Sequence, residues 1–586
     1  MKGSQFLVPA LLKTVVLPPL LVSCILKAIP LRVPLALGIT AYLVSFPLLF
    51  ILRSHSAAIR STRHARSLGA VDIPRVHGRW PLNLDVLADW AKSGSDEEVG
   101  RMMVLLGRKY GKTYNTRVLG EDQIISSDPT VLKHVLVDDF DNFVKGAKFK
   151  DRAEAFLGDG IFNSDGDRWK FHRALMRPFF HPSHISPSLF APHINAFLDS
   201  LPTSSGAAFD VQAKLGQLAL EMAIKWMTGE DMSSDPVDHS KVGAEWREAC
   251  EGLGGAMTEA QKIVGKRVKI GTLWPLFELT HDPLTKPMSI IRSFFRPIID
   301  RAMERKAARA ELEESPDEKE DLRFIDRLVE ATHDRKLVED QLINVLLASR
   351  DTLASCLTFC IYVLGLEPKM SANLRSEVRA VAAQGDITKD SIRELRYGRA
   401  FINEVLRLFP PVPLNIRRTL RPSLLPTSSG QMMYMPGNTS IILAFVLMQR
   451  DKTVWGDDAE VFDPSRWMGE GLDKKEREGF MSWNYGPRMC LGQPFALTVT
   501  NTFLILLCRH LDRIHQEHGL SLQIAFDAQP AGTGLPEAWK TAEGSEGRAR
   551  TGRDRMWVVA DVVLAIKGGL WVKFGSAERP ADADDT

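Results

Sequence analysis

The chain has 586 residues, and its 74 basic and 72 acidic side chains nearly cancel, leaving a formal net charge of +2. That balance gives no support for a nucleic-acid-binding protein. The six cysteines are scattered without a CxxC pair, so the sequence indicates neither a zinc site nor a disulfide framework. Length alone would suggest about three or four domains. No repeat or Gly/Ser linker divides the chain, however, and we predict one large catalytic domain.

The N-terminal region is predicted to lie in a membrane. Residues 33–52 form an uncharged run, about 30 Å long as a helix, which is enough to span the hydrocarbon of a bilayer. An earlier apolar run, residues 6–26, is interrupted by a lysine and two prolines, and whether it spans, re-enters or lies in the interface stays open. We predict membrane segments over residues 1–52 and a basic, proline-containing linker over residues 53–80. The linker arginines predict a cytosolic location for the rest of the chain: Arg53, Arg60, Arg63 and Arg66.

Hydrophobic periodicity predicts a mainly α-helical chain with small β-sheets. Helices are predicted over residues 99–110, 168–179, 212–228, 290–311, 338–364, 370–383 and 397–408. Short strands are predicted over residues 113–119, 431–435 and 561–573. Surface loops are predicted over residues 311–321 and 529–554, and a free acidic tail over residues 577–586.

Two of the predicted helices carry polar side chains that call for an explanation. Trp169 and Arg173 are one helical turn apart and face the same way. Asp351 and Thr352 interrupt an apolar stretch, where polar groups are costly unless they have a function or a partner. A hydroxyl bonded to its own helix backbone is the alternative explanation for Thr352.

A third helix carries the charges Glu404 and Arg407 among apolar neighbours. Their spacing of three places both on one helical face, and Pro410 and Pro411 follow where the helix must end. An exposed pair of this kind would contribute little stability. The apolar flanks favour a buried pair instead, and a buried pair needs a further polar partner.

The most informative stretch is residues 483–496, WNYGPRMCLGQPFA. Gly486 and Gly492 flank Cys490 and permit a backbone geometry that lets the loop lie flat against a planar ligand. Backbone amides at the start of the following helix favour a thiolate at Cys490. Arg488 is a fixed cation that can bind a carboxylate such as a haem propionate. A thiolate of this kind is the axial ligand that favours O–O cleavage on haem iron.

This stretch resembles the haem-binding signature of the cytochrome P450 monooxygenases, which has Phe, Gly, Arg, Cys and Gly at fixed spacing. Four of these five residues match, and Trp483 occupies the phenylalanine position. The resemblance implies a single haem-thiolate domain over residues 81–576, behind the membrane anchor, with Cys490 as the axial ligand of haem b. A buried structural cysteine is the alternative.

The resemblance also implies roles for the other motifs. Arg466 would join Glu404 and Arg407 in an ion cluster behind the haem. Thr352 and Asp351 would deliver protons for oxygen activation, although Ser349 and Leu353 depart from the usual glycine and second hydroxyl residue. The residues that would bind the haem are Trp169, Arg173, Arg417, Trp483, Gly486, Arg488 and Gly492. Arg418 is the alternative to Arg417.

Residues 139–146 and 157–163 resemble fungal members of the family that hydroxylate alkanes and fatty acids. Relatives of that group also act on terpenoids and other secondary metabolites, so the resemblance implies an apolar substrate. It further implies O2 as co-substrate, anchoring in the endoplasmic reticulum with a cytosolic catalytic domain, and electrons from an NADPH–cytochrome P450 reductase. The sequence has no flavin or nicotinamide fingerprint of its own.

Three alternatives stay open from the sequence. One is a haem-thiolate isomerase or dehydratase that uses no external oxygen, against which the Asp351–Thr352 pair argues. Another is a non-catalytic haem-binding sensor. The third is a membrane receptor with two spans and no haem.

Overall fold

The computed structural model describes residues 12, 16–28, 34–92, 99–203, 206–232, 241–311, 323–382, 385–469, 471–536 and 555–576. Several predicted segments lie outside these residues. They are most of residues 1–15, most of the loop at 311–321, the larger part of the loop at 529–554, and the tail at 577–586.

Helices dominate the described part of the chain, as the periodicity predicts. The α-helices are α1 Leu17–Ala28, α2 Leu35–Ser67, α3 Leu84–Lys92, α4 Arg101–Tyr110, α5 Pro129–Lys133, α6 Ala147–Leu157, α7 Gly166–Met176, α8 Pro187–Asp199, α9 Val211–Thr228, α10 Lys241–Ile270, α11 Thr285–Glu311, α12 Phe324–Ala331, α13 Arg335–Leu366, α14 Pro368–Ala382, α15 Lys389–Glu394, α16 Arg396–Leu408, α17 Phe445–Met448, α18 Lys452–Trp455, α19 Lys474–Gly479 and α20 Gln493–His518. Each of the seven predicted helices is present with its ends shifted by a few residues. The long helix α10 was not predicted.

The strands are short and form small mixed sheets. They are β1 Val71–Asp72, β2 Thr113–Asn115, β3 Gln123–Ser126, β4 Phe143–Val144, β5 Phe209–Asp210, β6 Leu414–Thr419, β7 Ser423–Pro426, β8 Met432–Met435, β9 Ser440–Ala444, β10 Leu520–Ile524, β11 Val558–Ala560, β12 Leu564–Ile566 and β13 Trp571–Ser576. The sheet orders are β2-β3-β9-β6-β4, β1-β8-β7, β10-β13-β5 and β11-β12. The predicted strand at 561–573 is interrupted by Gly568 and Gly569, whose φ values of +77° and +91° suit glycine.

Helix α13 is the centre of the core. Most of its side chains are buried on all sides, which is typical of a helix enclosed by others. It packs against α9 and α12, and Phe359 stacks on Phe409 with ring centroids 4.4 Å apart. By length and composition α13 and α20 could each cross a membrane, but most of each apolar stretch is buried within the domain. Both are therefore core helices.

The N-terminal boundaries differ from the predicted ones. Helix α2 covers the predicted span at 33–52 but continues to Ser67, so the first half of the predicted linker is helical. Strand β1 then pairs in parallel with β8, which attaches residues 71–72 to the catalytic domain about ten residues before the predicted start. The sequence hides this pairing because the two strands are far apart along the chain.

Three polar side chains of α13 hold the loop at residues 158–162 in place. Asp340 Oδ2 accepts a hydrogen bond from the Asp159 amide at 2.9 Å. Asn344 accepts one from the Phe162 amide at 3.1 Å and donates to the Leu157 carbonyl at 2.8 Å. The side-chain oxygen of Gln341 accepts a hydrogen bond from a further backbone amide of the loop. The loop is thus fixed to the core helix by its own backbone groups.

We expect Asn344→Ala to lower the free energy of unfolding by about 1–3 kcal/mol, because it leaves the Phe162 amide without its partner and removes one of the two bonds to the Leu157 carbonyl. Denaturant titration of the haem-loaded protein measures this. The matched control is Gln217→Ala, which removes an exposed bond to Glu221 and should change stability by less than about 0.5 kcal/mol. Equal midpoints for the two variants would contradict the proposed clamp.

Candidate active site

A cavity of about 630 Å³ lies between α6, α7, α10, α13, β6 and the loop that carries Cys490. Most of its walls are apolar, with Phe156, Val264 and Leu353 among them. The cavity also gathers most of the predicted site residues, which are far apart in sequence. Those that line it are Trp169, Arg173, Thr352, Arg417, Trp483, Arg488, Cys490 and Gly492, whereas Asp351 and Gly486 do not.

Cys490 lies at the end of a tight loop that leads into α20. Its backbone N–H donates to the Trp483 carbonyl at 2.8 Å, and its side chain is accessible because it borders the cavity. Burial raises the pKa of the Cys490 thiol, while the amides of Gly492 and Gln493 and the Arg173 guanidinium lower it. The helix-start amides favour a thiolate as expected, but burial outweighs them. A metal cation bound to this sulfur would favour the thiolate.

The two glycines of the loop have different reasons to be glycine. Gly486 has φ +69°, and a Cβ atom there would overlap the Leu136 carbonyl oxygen, so the loop packs against that backbone. Gly492 has an ordinary φ of −79°, and a Cβ atom would make normal contacts, 3.7 Å from Phe180. Gly486 therefore serves loop packing, and the role of the two glycines toward a planar ligand stays a prediction.

Two arginines hold the loop against α7. Arg488 donates to Asp165 Oδ1 and to the Ser164 carbonyl, each at 2.9 Å, and its guanidinium lies 4.5 Å from the centroid of the Trp169 ring. Arg173 donates to the Met489 carbonyl at 2.9 Å. The predicted pair on α7 thus contacts two consecutive residues of the loop, Arg488 and Met489.

Arg417, which is buried, and Lys145, which is half-buried, have no carboxylate partner among the described residues. Both donate to Asn415 Oδ1, at 2.8 and 3.1 Å, and Arg417 Nε has no partner there. Burial lowers the pKa of Arg417 to about 9, with Arg488 acting in the same direction and Asp165 opposing. Burial also lowers the pKa of Lys145 well below its usual value.

The cavity therefore has a surplus of positive charge at one end. Arg417, Lys145 and Arg488 share Asp165 as the carboxylate that opposes them. The neighbouring Arg418 bonds Ser440 and does not line the cavity, which leaves Arg417 as the arginine placed at the site. Lys145 was missed, because a lysine in a loop is usually solvated and nothing in its flanks signals burial.

Thr352 and Asp351 face different ways on α13. The Thr352 side chain borders the cavity, and its hydroxyl donates to the Ala348 carbonyl of its own helix. This is the alternative that the sequence left open. Asp351 turns toward α10, where it accepts a hydrogen bond from Gln261. It also forms an ion pair, at 3.0 Å, with its neighbour in the chain, Arg350. Consecutive helical residues point about 100° apart, and of these two only Thr352 borders the cavity.

Glu404 and Arg407 form a fully buried ion pair on α16. Arg407 Nη2 and Nε each lie 2.8 Å from a different carboxylate oxygen of Glu404. The carboxylate also accepts bonds from the Asp463 amide at 2.9 Å and from Trp467 Nε1 at 3.0 Å. Arg466 Nε lies 3.5 Å away without forming a hydrogen bond. The sequence missed the Trp467 indole and the amide as partners of this carboxylate.

Gln449 connects this ion pair to the loop of Cys490. Arg407 Nη1 donates to the Gln449 carbonyl at 2.9 Å. The Gln449 side chain donates to the Arg407 carbonyl at 2.9 Å and accepts from the Met481 amide at 2.9 Å and from Ser482 Oγ at 3.0 Å. The start of the Cys490 loop is therefore tied to the buried pair through one amide side chain.

Comparison with known proteins agrees with this geometry. A sequence model of the family described as Cytochrome P450 matches residues 75–520. Cytochrome P450 52E1 of Candida apicola is 29% identical over 466 residues, which cover 78% of this chain and 88% of that protein. Cytochrome P450 52-E3 of Starmerella bombicola is 30% identical over 472 residues, covering 78% and 88%. A protein named Cytochrome P450 in Arthroderma benhamiae is 28% identical over 475 residues, covering 80% and 89%.

The donor set around the cavity fits a haem. The Cys490 sulfur borders the cavity beside Arg173, and the cations at that end of the cavity exceed the carboxylates. An anionic porphyrin would supply the charge that Arg417 and Lys145 lack, and iron would supply the charge that a thiolate needs. The residue assignments themselves remain predictions.

We expect Glu404→Ala to lose haem incorporation, because removing the carboxylate strands a buried guanidinium at a cost of about 3–5 kcal/mol. Haem content and the carbon monoxide spectrum of the reduced protein measure this. The matched control is Asp390→Ala, which removes the acid of an exposed pair with Arg393 at the same spacing. An intact haem-thiolate spectrum in Glu404→Ala would refute the role given to the pair.

Proposed function

The chain belongs to the cytochrome P450 family of haem-thiolate monooxygenases, and we propose that it inserts one oxygen atom from O2 into an apolar substrate. The observation that supports this most is a single cavity with Cys490 and buried cations at one end and apolar walls elsewhere. We propose haem b as the cofactor and Cys490 as its axial ligand. When bound, the haem supplies the activation of O2, which a thiolate ligand favours.

Each polar residue at the cofactor end has a proposed task. Arg173, Arg417 and Arg488 bind the propionate carboxylates, because guanidinium groups match carboxylates in charge and geometry. Lys145 adds a fourth cation at the same end. Trp169 lies beneath the Arg488 guanidinium and keeps it oriented toward the cavity wall. Asp165 holds Arg488 in place and leaves the other cations available for the cofactor.

Proton delivery is proposed to run along the surface of α13. The Thr352 hydroxyl borders the cavity and can turn from the Ala348 carbonyl to donate to a bound water or substrate-side oxygen atom. Burial raises the pKa of the Asp351 carboxyl, while Arg350 and Gln261 lower it, and the net rise helps Asp351 hold a proton. Gln261 both contacts Asp351 and borders the cavity. In this proposal Asp351 supplies the proton, and the polar side chains beside it at the cavity wall lead towards Thr352.

The proposed substrates are fatty acids, alkanes, terpenoids or other fungal secondary metabolites. The cavity supports this class, since apolar and aromatic side chains make up most of the wall away from Cys490. Residues from the segments 149–162, 348–352 and 412–416 all line the cavity. Their burial would exclude water from an apolar ligand.

We further propose anchoring in the endoplasmic reticulum, with the catalytic domain in the cytosol. Helix α2 exposes a row of large apolar side chains that no described residue covers: Leu37, Ile39, Leu43, Val44, Leu48, Ile51 and Leu52. A lipid bilayer would cover them. An NADPH–cytochrome P450 reductase is the proposed electron donor, and its acidic surface would meet exposed basic side chains, with salt-sensitive association: Lys170, Arg177, Lys474, Lys475 and Arg477.

The proposal is tested by the carbon monoxide spectrum of the reduced protein and by oxidation assays with added reductase and NADPH. We expect a thiolate-type Soret band in the unmodified protein and its loss in Cys490→Ser, because a serine hydroxyl does not supply the thiolate. Cys508→Ser is the matched control, since Cys508 is buried in α20 away from the cavity. A thiolate band that survives in Cys490→Ser would overturn the ligand assignment.

We expect Thr352→Val to reduce the product formed per NADPH at least about tenfold, with the difference appearing as hydrogen peroxide, because proton delivery is lost. Coupled assays of NADPH, product and peroxide measure this. Thr358→Val is the matched control, because Thr358 makes the same bond to its own helix, at 2.7 Å, but does not border the cavity. Equal coupling in the two variants would show that Thr352 is only structural.

A further inference from the structure

Arg152 is a buried cation in the cavity wall that the proposed chemistry does not use. It lies on α6 and is 8% exposed. Its side chain borders the cavity between Phe149 and Phe156, which share its helical face. Within the described part of the chain, no hydrogen bond or ion pair engages its guanidinium group. The backbone of the same residue is held, since its carbonyl accepts a bond from Arg267 Nη1 at 3.2 Å.

The charges near Arg152 do not neutralise it. Burial lowers the pKa of its guanidinium, Glu121 opposes this, and Arg418 adds to it. Glu121 is already bound to Lys148 at 2.7 Å. Lys269, another cation of the cavity wall, is likewise paired, with Asp561 at 2.8 Å. Arg152 is therefore the cation of this wall whose partner is missing.

Arg152 is also distinct from the cations at the cofactor end. Arg488 lowers the pKa values of Arg417 and Lys145 and Asp165 raises them, whereas the pKa of Arg152 responds to Glu121, Arg418 and Asp151. Its Nη2 atom lies about 4.0 Å from the position that a Cβ atom would take at Gly271, just beyond the end of α10. This places it where α6 and α10 enclose the apolar part of the cavity.

We propose that Arg152 is a carboxylate-binding subsite that holds the acid group of a long apolar acid. This rests on the proposed function and narrows its substrate class to apolar monocarboxylic acids, in preference to alkanes, alcohols and esters. A guanidinium presents two parallel N–H donors to a carboxylate, and the enclosed site strengthens that bond. The hydrocarbon part then lies along Phe149 and Phe156, and a carbon remote from the acid group is presented near Cys490.

The test is a binding titration of the full-length, haem-loaded protein in detergent or nanodiscs. Substrate-induced spin-state shifts give dissociation constants for two matched pairs, hexadecanoic acid with its methyl ester and a diterpene acid with its methyl ester. We expect the unmodified protein to bind at least one acid about 10- to 100-fold more tightly than its ester. Arg152→Gln should remove that preference and leave ester binding within about twofold.

Matched controls separate the subsite from general electrostatics. Lys269→Gln removes a cavity-wall cation that already has a carboxylate partner, and it should keep the preference for the acid. Arg152→Lys should keep part of it, because the charge remains without the two-donor geometry. These readings need no turnover and so do not depend on reductase or product.

The proposal is overturned if neither acid binds more tightly than its ester in the unmodified protein, a result that holds even if Arg152→Gln fails to fold. It is also overturned if Arg152→Gln weakens acid and ester equally. A protein without a thiolate-type carbon monoxide spectrum would instead contradict the proposed function itself. Failure of the subsite and failure of the enzyme assignment are thus told apart by separate measurements.

Discussion

The buried ion pair between Glu404 and Arg407 is the interaction on which the active site depends. Burying two charges is costly, and the cost is offset only when geometry is good and the remaining polar atoms are satisfied. Here the pair is bidentate, and Arg407 also donates to the carbonyls of Gln449, Ala459 and Val461. The same contacts that satisfy the pair gather three distant segments around the end of α16. Through Gln449 they also hold the start of the loop that ends in Cys490. The position of the sulfur is therefore a consequence of how a buried charge is satisfied.

A second constraint is the surplus of buried positive charge at the cofactor end of the cavity. Without an anion, Arg417 and Lys145 are desolvated cations that share an amide oxygen, which destabilises the folded chain. An anionic ligand that binds the folded state would offset this cost and stabilise the fold by mass action. Burial raises the pKa of the Cys490 thiol in the same way, and a bound cation would reverse that. The cavity therefore needs negative charge beside Arg417 and Lys145 and positive charge beside Cys490. One group that carries both carboxylates and iron would supply the two together.

Whether a feature of the fold or the site could be predicted from the sequence depends on how far apart in the chain its interacting residues are. The Glu404–Arg407 pair and the surroundings of Cys490 were predictable because they rest on spacings of a few residues. The environments of Lys145, Trp467 and Arg152 were not predictable, because they come from segments tens to hundreds of residues away in the chain. The contact of Asp351 with Gln261 on α10 was also not predictable, because the two residues are 90 positions apart in the chain. Helix α10 was missed, and the β1–β8 pairing joins positions about 360 residues apart, which local patterns do not report.

In these proposals the carboxylates of the cofactor and the acid group of the substrate bind in one cavity. Which cations are already paired within the protein explains why each carboxylate binds at its own end. At the cofactor end, Arg417, Lys145 and Arg488 face one carboxylate, so the local surplus suits a ligand with more than one negative charge. Elsewhere in the wall, Lys148 and Lys269 are each neutralised by an acid, which leaves Arg152 with a single uncompensated charge. A monoanion gains less binding energy at the cofactor end once the cofactor is bound there, because the cofactor has already neutralised the surplus positive charge. It gains a full charge-assisted hydrogen bond at Arg152, in an apolar setting that also suits its hydrocarbon chain. Selectivity between the two anions therefore follows from which cations the protein itself has already paired.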